Sequence, residues 1–281
     1  MTYHTLIAAD ELARRINEPD WVIVDCRFDL AKPESGRAAY ALSHLPNARY
    51  AHLNSDLSAP IAPSTGRHPL PNPQHLAQRL GAWGINTRTQ VVAYDDSGGP
   101  FAARLWWLLR WLGHERVAVL DGGLKRWTAQ SLPLSSDTPH VTPTAFTPHV
   151  QSMAVDVNTV QQRLNDARYT LIDVRAPERF AGTVEPIDPV AGHVPGARNI
   201  PFAQNLDPHG CFKSADELRA LYEQHVSRVD PQRLMVMCGS GVTACHTVLA
   251  LEVAGLAGAQ LYAGSWSEWI TDPSRPVARG L

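Results

Sequence analysis

No lysine- or arginine-rich run occurs anywhere in these 281 residues, and 25 basic side chains stand against 27 acidic ones for a formal net charge of -2. Nucleic acid and anionic membrane surfaces are therefore not expected as partners. The opening MTYHTLIAADELARR has no basic stretch leading into an apolar core, so no secretory signal is expected there. The most membrane-like stretch, Leu105-Trp106-Trp107-Leu108-Leu109-Arg110-Trp111-Leu112, is far too short to span and carries an arginine. A soluble, cytoplasmic protein is expected. Only four cysteines occur, Cys26, Cys211, Cys238 and Cys245, and none forms a Cys-x-x-Cys pair. A disulfide framework and a zinc site are both poor fits, and reduced thiols are the better one.

What the chain does have is enough apolar material for packed cores, at 44% of residues, and a length that suits two domains. It also repeats itself. Trp21-Val22-Ile23-Val24-Asp25-Cys26-Arg27 is echoed by Tyr169-Thr170-Leu171-Ile172-Asp173-Val174-Arg175, both apolar runs that end in Asp-x-Arg. His44-Leu45-Pro46-Asn47-Ala48 is echoed by His193-Val194-Pro195-Gly196-Ala197. Val91-Val92-Ala93-Tyr94-Asp95 matches Leu234-Met235-Val236-Met237-Cys238, and Gly122-Gly123-Leu124-Lys125-Arg126-Trp127 matches Gly264-Ser265-Trp266-Ser267-Glu268-Trp269. Four matched signals in one order indicate a tandem duplication. The expected division is 1–133, a linker over 134–150 marked by Pro139, Pro143 and Pro148, and 151–281. Apolar runs alternate with helical stretches at 10–16, 73–83, 158–164 and 215–224. That alternation predicts an α/β fold in each copy, a mostly parallel sheet flanked by helices.

In such sheets ligands bind beyond the carboxyl ends of the strands. Cys238 occupies one such end, and its counterpart in the first copy is Asp95, which cannot act as a sulfur nucleophile. The second copy alone can carry thiol chemistry. After Cys238 come Gly239-Ser240-Gly241-Val242-Thr243, with a helix expected from about Thr243. Two glycines let the loop curl so that backbone N–H groups point inward at a helix N-terminus, a nest that favours a thiolate at its start. The alternative is a small buried cysteine ahead of a glycine turn. A P-loop is excluded because Val242, not lysine, precedes Thr243. A cysteine-dependent phosphatase needs a loop arginine to clamp phosphoryl oxygens, and residues 239–247 contain neither arginine nor lysine. A loop without fixed positive charge suits a thiol-bearing or weakly charged group better than a dianion.

Cys-Gly-Ser-Gly-Val-Thr-Ala-Cys, the Asp-x-Arg strands, the His-x-Pro loops and the closing Gly-Ser-Trp-Ser-Glu-Trp resemble the two-domain rhodanese family, and within it the mercaptopyruvate sulfurtransferase branch. The resemblance spans nearly the whole chain. It implies a tandem duplication of a rhodanese-like domain and a ping-pong sulfurtransferase in which Cys238 becomes a persulfide. A small-molecule donor, 3-mercaptopyruvate with thiosulfate as the alternative, supplies the sulfur, and cyanide, a thiol or a thioredoxin-like reductant accepts it. No cofactor or metal is implied. By the same resemblance Arg179 holds the donor's anionic end, Gly239, Gly241, Val242 and Thr243 line the loop, and Ser240 works with His68. Asn54 and Asp56 both lie near the place of a third, acidic partner. A second arginine of the mercaptopyruvate branch is missing, because Ile187 follows Glu185-Pro186 in its place. A phosphatase and a catalytically idle module remain as the rival classes. His44, His193, Asp25 and Asp173 recur in both copies and read as structural. Cys245 falls two helical turns after Cys238 and reads as packing.

Overall fold

A computed structural model describes residues 2–226 and 230–280. Two compact units divide the chain. One comprises Met1–Ala59, Leu70–Ser152 and Pro208–Cys211, and the other Pro60–Pro69, Met153–Asp207 and Phe212–Leu281. Each unit is therefore discontinuous in sequence. The short segment 60–69, from the first half of the chain, is counted in the second unit, a feature that no local sequence signal announces.

In the first unit β1 (Leu6–Ile7), β2 (Trp21–Asp25), β3 (Arg49–Tyr50), β4 (Gln90–Tyr94) and β5 (Val117–Leu120) form one sheet in the order β1-β5-β4-β2-β3. All its pairings are parallel. The helices are α1 (Ala9–Arg15), α2 (Ser35–Leu42), α3 (Pro73–Ala82), α4 (Pro100–Trp111) and α5 (Gly123–Ala129). β2, β4 and β5 are buried along their whole length, as expected of apolar strands covered on both faces. α4 packs on β4 and β5. α3 starts cleanly because Asn72 accepts from the amides of Gln74 and His75 while Pro73 needs no N–H partner.

The second unit repeats the plan. β6 (Ala154–Val155), β7 (Thr170–Asp173), β8 (Arg198–Asn199), β9 (Leu234–Met237) and β10 (Gln260–Tyr262) run parallel in the order β6-β10-β9-β7-β8. Around them lie α6 (Val157–Leu164), α7 (Pro177–Ala181), α8 (Ala215–His225), α9 (Thr243–Val253) and α10 (Ser265–Trp269). α8 begins with a reciprocal cap between Ser214 and Glu217 and packs against α9, which lies on β9 and β10. α2, α7 and α10 are helices that the hydrophobic pattern did not announce. Two of them are five residues long, too short to show a periodicity.

The duplicated motifs do the same job twice. Arg27 grips Asp25, and Arg175 grips Asp173, each through Nε and Nη2 in a buried ion pair. His44 pairs as an isolated bridge with Ser135, and His193 with Ala278, each tying the segment that follows the last helix of its unit. Their rings stack on Tyr40 and Phe180. Residues 136–153 contain neither helix nor strand. Up to residue 151 this stretch is fastened to the first unit by amides of Thr144, His149 and Gln151, which donate to Gly81, Leu112 and Trp111 carbonyls. No helix among the described residues is long and apolar enough to cross a membrane.

Candidate active site

β4 and β9 are the central strands of their sheets, and the residue after each is Asp95 or Cys238. The following helix starts at Pro100 in one case and Thr243 in the other, the same offset of five. What the loop does is clearest in the first unit, where it is filled by its own side chain. Asp95 is fully buried and accepts from the amides of Ser97, Gly99, Phe101 and Ala102, at 2.8 to 3.0 Å. Burial pushes its carboxyl up from the usual range, while the four amides pull the other way. The turn is an anion nest at a helix N-terminus, occupied internally.

In the second unit a sulfur stands at that place. Cys238 is 2% exposed, and its Sγ accepts the Gly241 amide at 3.1 Å. The outer side of the loop is fixed by α10: the Trp266 amide donates to the Cys238 carbonyl at 3.0 Å and the Ser267 amide to that of Gly239 at 2.9 Å. With the Cys238 and Gly239 carbonyls engaged by α10, the Gly241 amide is the one that meets the sulfur. The Ser265 hydroxyl accepts the Cys238 amide at 3.1 Å and donates to the Tyr262 carbonyl. Gly241 is required twice over. Its φ is +77°, and a Cβ there would lie 2.2 Å from the Ala263 carbonyl oxygen. Gly239 is not left-handed; an added Cβ would instead stand 3.0 Å from Nη2 of Arg67 and 3.5 Å from both terminal nitrogens of Arg179.

That last observation corrects the expectation of a loop without positive charge. Residues 239–247 hold no cation, but two guanidiniums reach Gly239 from elsewhere in the unit. Arg179, on α7, is held by Glu185 through Nε and Nη2 and by Asp188 through Nη2 at 2.9 Å. Arg67 bonds the other oxygen of Asp188 and sets its backbone amide on the Ser267 hydroxyl. Arg67 is not among the residues expected from the sequence; its adjacency to His68 in Gly66-Arg67-His68 is the one local signal that points to it. Ile187, where the resemblance implies a second arginine, is 44% exposed, and its amide donates to Glu185.

The other predicted residues fall as follows. His68 and Ser240 are both buried, with Nδ1 and Oγ 2.7 Å apart. Val242 is buried at the residue before α9, with no side-chain capping bond, and the first residue of α9, Thr243, is partly exposed. In the first unit, Asp56 accepts the His52 amide and pairs with Arg79, whereas Asn54 is exposed. Cys245 is wholly buried and its thiol donates to the Gly241 carbonyl at 3.2 Å. Trp266 and Trp269 belong to the core of the second unit, and Arg175 lies over the Trp266 ring. Among the described residues no cluster of side chains could hold a metal ion.

The family model for the Rhodanese-like domain matches residues 8–130 and again 156–272. The chain belongs to the rhodanese family. Over 283 aligned residues it is 47% identical to the Pseudomonas aeruginosa protein named "Probable 3-mercaptopyruvate sulfurtransferase", with all of both chains covered. It is 32% identical to thiosulfate sulfurtransferase of Rattus norvegicus, covering 99% of this chain and 96% of that one. The structure of 3-mercaptopyruvate sulfurtransferase from Leishmania major superposes with a TM-score of 0.83 at 31% identity, over 94% of this chain and 74% of that one. In this family's terms the two units are paired rhodanese domains, each an α/β unit with a five-stranded parallel sheet, and the second carries the cysteine.

Proposed function

We propose that the protein is a sulfurtransferase that takes a sulfur atom from 3-mercaptopyruvate onto Cys238 and passes it to a thiol or to cyanide. The observation that carries this reading is a buried cysteine sulfur accepting the Gly241 amide at the head of a nest whose twin holds a carboxylate on four amides. A nest that holds a carboxylate in one unit is suited to a thiolate, and then a persulfide anion, in the other. The names of the Pseudomonas and Leishmania relatives supply the donor.

In the first half-reaction the Cys238 thiolate attacks the donor's sulfur. The new S–S bond forms as the donor's C–S bond breaks, and the electron pair left on carbon takes up the donor's thiol proton. Pyruvate departs and Cys238 holds the persulfide anion. His68 and Ser240, 2.7 Å apart, are the pair suited to carry that proton. Gly239, Gly241, Val242 and Thr243 supply the loop, and Arg179 the charge for the donor's anionic end. In the second half-reaction an acceptor thiolate, including one on a thioredoxin-like reductant, or cyanide attacks the outer sulfur. The S–S bond then breaks and the Cys238 thiolate returns.

Thiosulfate is the second reading, favoured by the name of the rat relative and by the two guanidiniums beside Gly239. There the sulfur–sulfur bond of the donor breaks and sulfite leaves with the electron pair. Mass spectrometry of donor-treated protein tests both. One added sulfur is expected on the peptide holding Cys238, with thiocyanate released by cyanide, and Cys238→Ser should abolish both. Sulfur on Cys26, Cys211 or Cys245 instead would overturn the assignment, and kcat/KM for the two donors decides between them.

A further inference from the structure

The second arginine that the rhodanese resemblance implies is not supplied at position 187. Position 187 is exposed and offers an isoleucine, whereas Arg67 enters the second unit on the segment 60–69 and reaches the loop directly. Its entry is fixed by backbone: Gly66 approaches Gly264 so closely that a Cβ would lie 2.4 Å from that carbonyl oxygen, and the Arg67 amide donates to Ser267 at 3.0 Å. Asp188, itself buried, bridges Arg67 and Arg179, with one carboxylate oxygen on each. Two guanidiniums side by side repel one another unless an anion lies between them, and Asp188 supplies it. Asp188 and Glu185 engage two nitrogens of Arg179, Nε and Nη2, and Asp188 engages Nη1 of Arg67, but the buried Arg67 Nε has no hydrogen-bond partner among the described residues. A buried guanidinium N–H without an acceptor is costly, and an anionic ligand would relieve that cost. Burial pulls the Arg67 guanidinium down from its ordinary value, and the Cys238 sulfur opposes that, which places Arg67 in the field of the nucleophile.

We propose that Arg67 is the second donor-binding arginine of this protein, gripping the anionic end of the sulfur donor together with Arg179 while Asp188 holds the pair in register. The proposal rests on the sulfurtransferase reading and names the residue that gives its donor site a second cation. Gly239 is then explained as well. Its backbone needs no glycine, but a methyl group there would stand against both guanidiniums, in the space through which the donor's anion must reach them.

The test compares wild type, Arg67→Ala, Arg67→Lys and Ile187→Arg with 3-mercaptopyruvate and with thiosulfate, cyanide being the acceptor. Arg67→Ala should lower kcat/KM for the preferred donor by about tenfold to a hundredfold, chiefly through KM, as expected for loss of a charge-assisted contact. Arg67→Lys, which keeps the charge and can still pair with Asp188, should recover part of the loss. Release of thiocyanate from enzyme already carrying the persulfide should change less than about twofold in both, since the donor has left by then. Ile187→Arg should change little. A loss larger with 3-mercaptopyruvate assigns the pair to a carboxylate, and one larger with thiosulfate assigns it to a sulfonate. Either supports the clamp. Normal donor kinetics in Arg67→Ala, or an equal loss in the thiocyanate step, would overturn it while leaving the Cys238 persulfide intact. A wild type that forms no persulfide with either donor would overturn both.

Discussion

Two glycines stand in one loop, and replacing each by alanine should fail in a different way. At Gly241 an alanine must adopt φ near +77°, which costs a non-glycine residue roughly 1–2 kcal/mol. Its Cβ would also lie 2.2 Å from the Ala263 carbonyl oxygen and 2.9 Å from the Ala263 Cα, so the backbone has to move. The amide that moves with it is the one donating to Cys238 Sγ at 3.1 Å. A hydrogen bond to a charged group is worth about 1.5–3 kcal/mol, and each 1.36 kcal/mol is a factor of ten in rate. Gly241→Ala should therefore slow sulfur transfer by roughly tenfold to a hundredfold and lower the unfolding midpoint. Both half-reactions should suffer, because both place negative charge on sulfur in the nest. Gly239→Ala carries no left-handed backbone strain, and the atoms nearest its methyl are the ends of flexible arginines. Its cost should appear in the donor KM, with stability and thiocyanate release nearly unchanged. Single-turnover persulfide formation and cyanolysis, followed separately in both variants, give the comparison. A Gly241→Ala protein with wild-type rates and an unshifted midpoint would refute the nest.

Cys245→Ala should keep the rate within about tenfold, since its thiol donates to the Gly241 carbonyl from a wholly buried position; a larger loss in steady-state turnover would assign it a part in the chemistry. Asp95→Ala should destabilise the first unit by on the order of 3 kcal/mol, because four buried amides lose their acceptor at once. Urea unfolding would register that loss, while sulfur transfer per folded molecule should be retained; an unshifted transition would mean that the amides find other partners.

Those predictions draw unequally on sequence and on structure. The strands were legible because Val22-Ile23-Val24 and Met235-Val236-Met237 are buried on both faces and so read as unbroken apolar runs. The duplication was legible because each unit must satisfy the same Asp-x-Arg pair, the same His bridge and the same tryptophan with the same residue types. Cys238 was legible because a strand end, two glycines and a helix start are all local, written in the φ/ψ preferences of neighbouring residues. α7 and α10 were not, being too short for a period to appear. Nor was the charge around the loop: the sequence places neither arginine nor lysine in 239–247, and Arg67 reaches Asp188 across 121 residues of chain. The closeness of His68 and Ser240, 172 residues apart, likewise depends on where segment 60–69 lies. Local torsional preferences and hydrophobic period fix what a segment becomes. Which distant segment brings its cation to the sulfur is set by packing alone, because a guanidinium on a loop carries no sequence mark of the carboxylate it will meet.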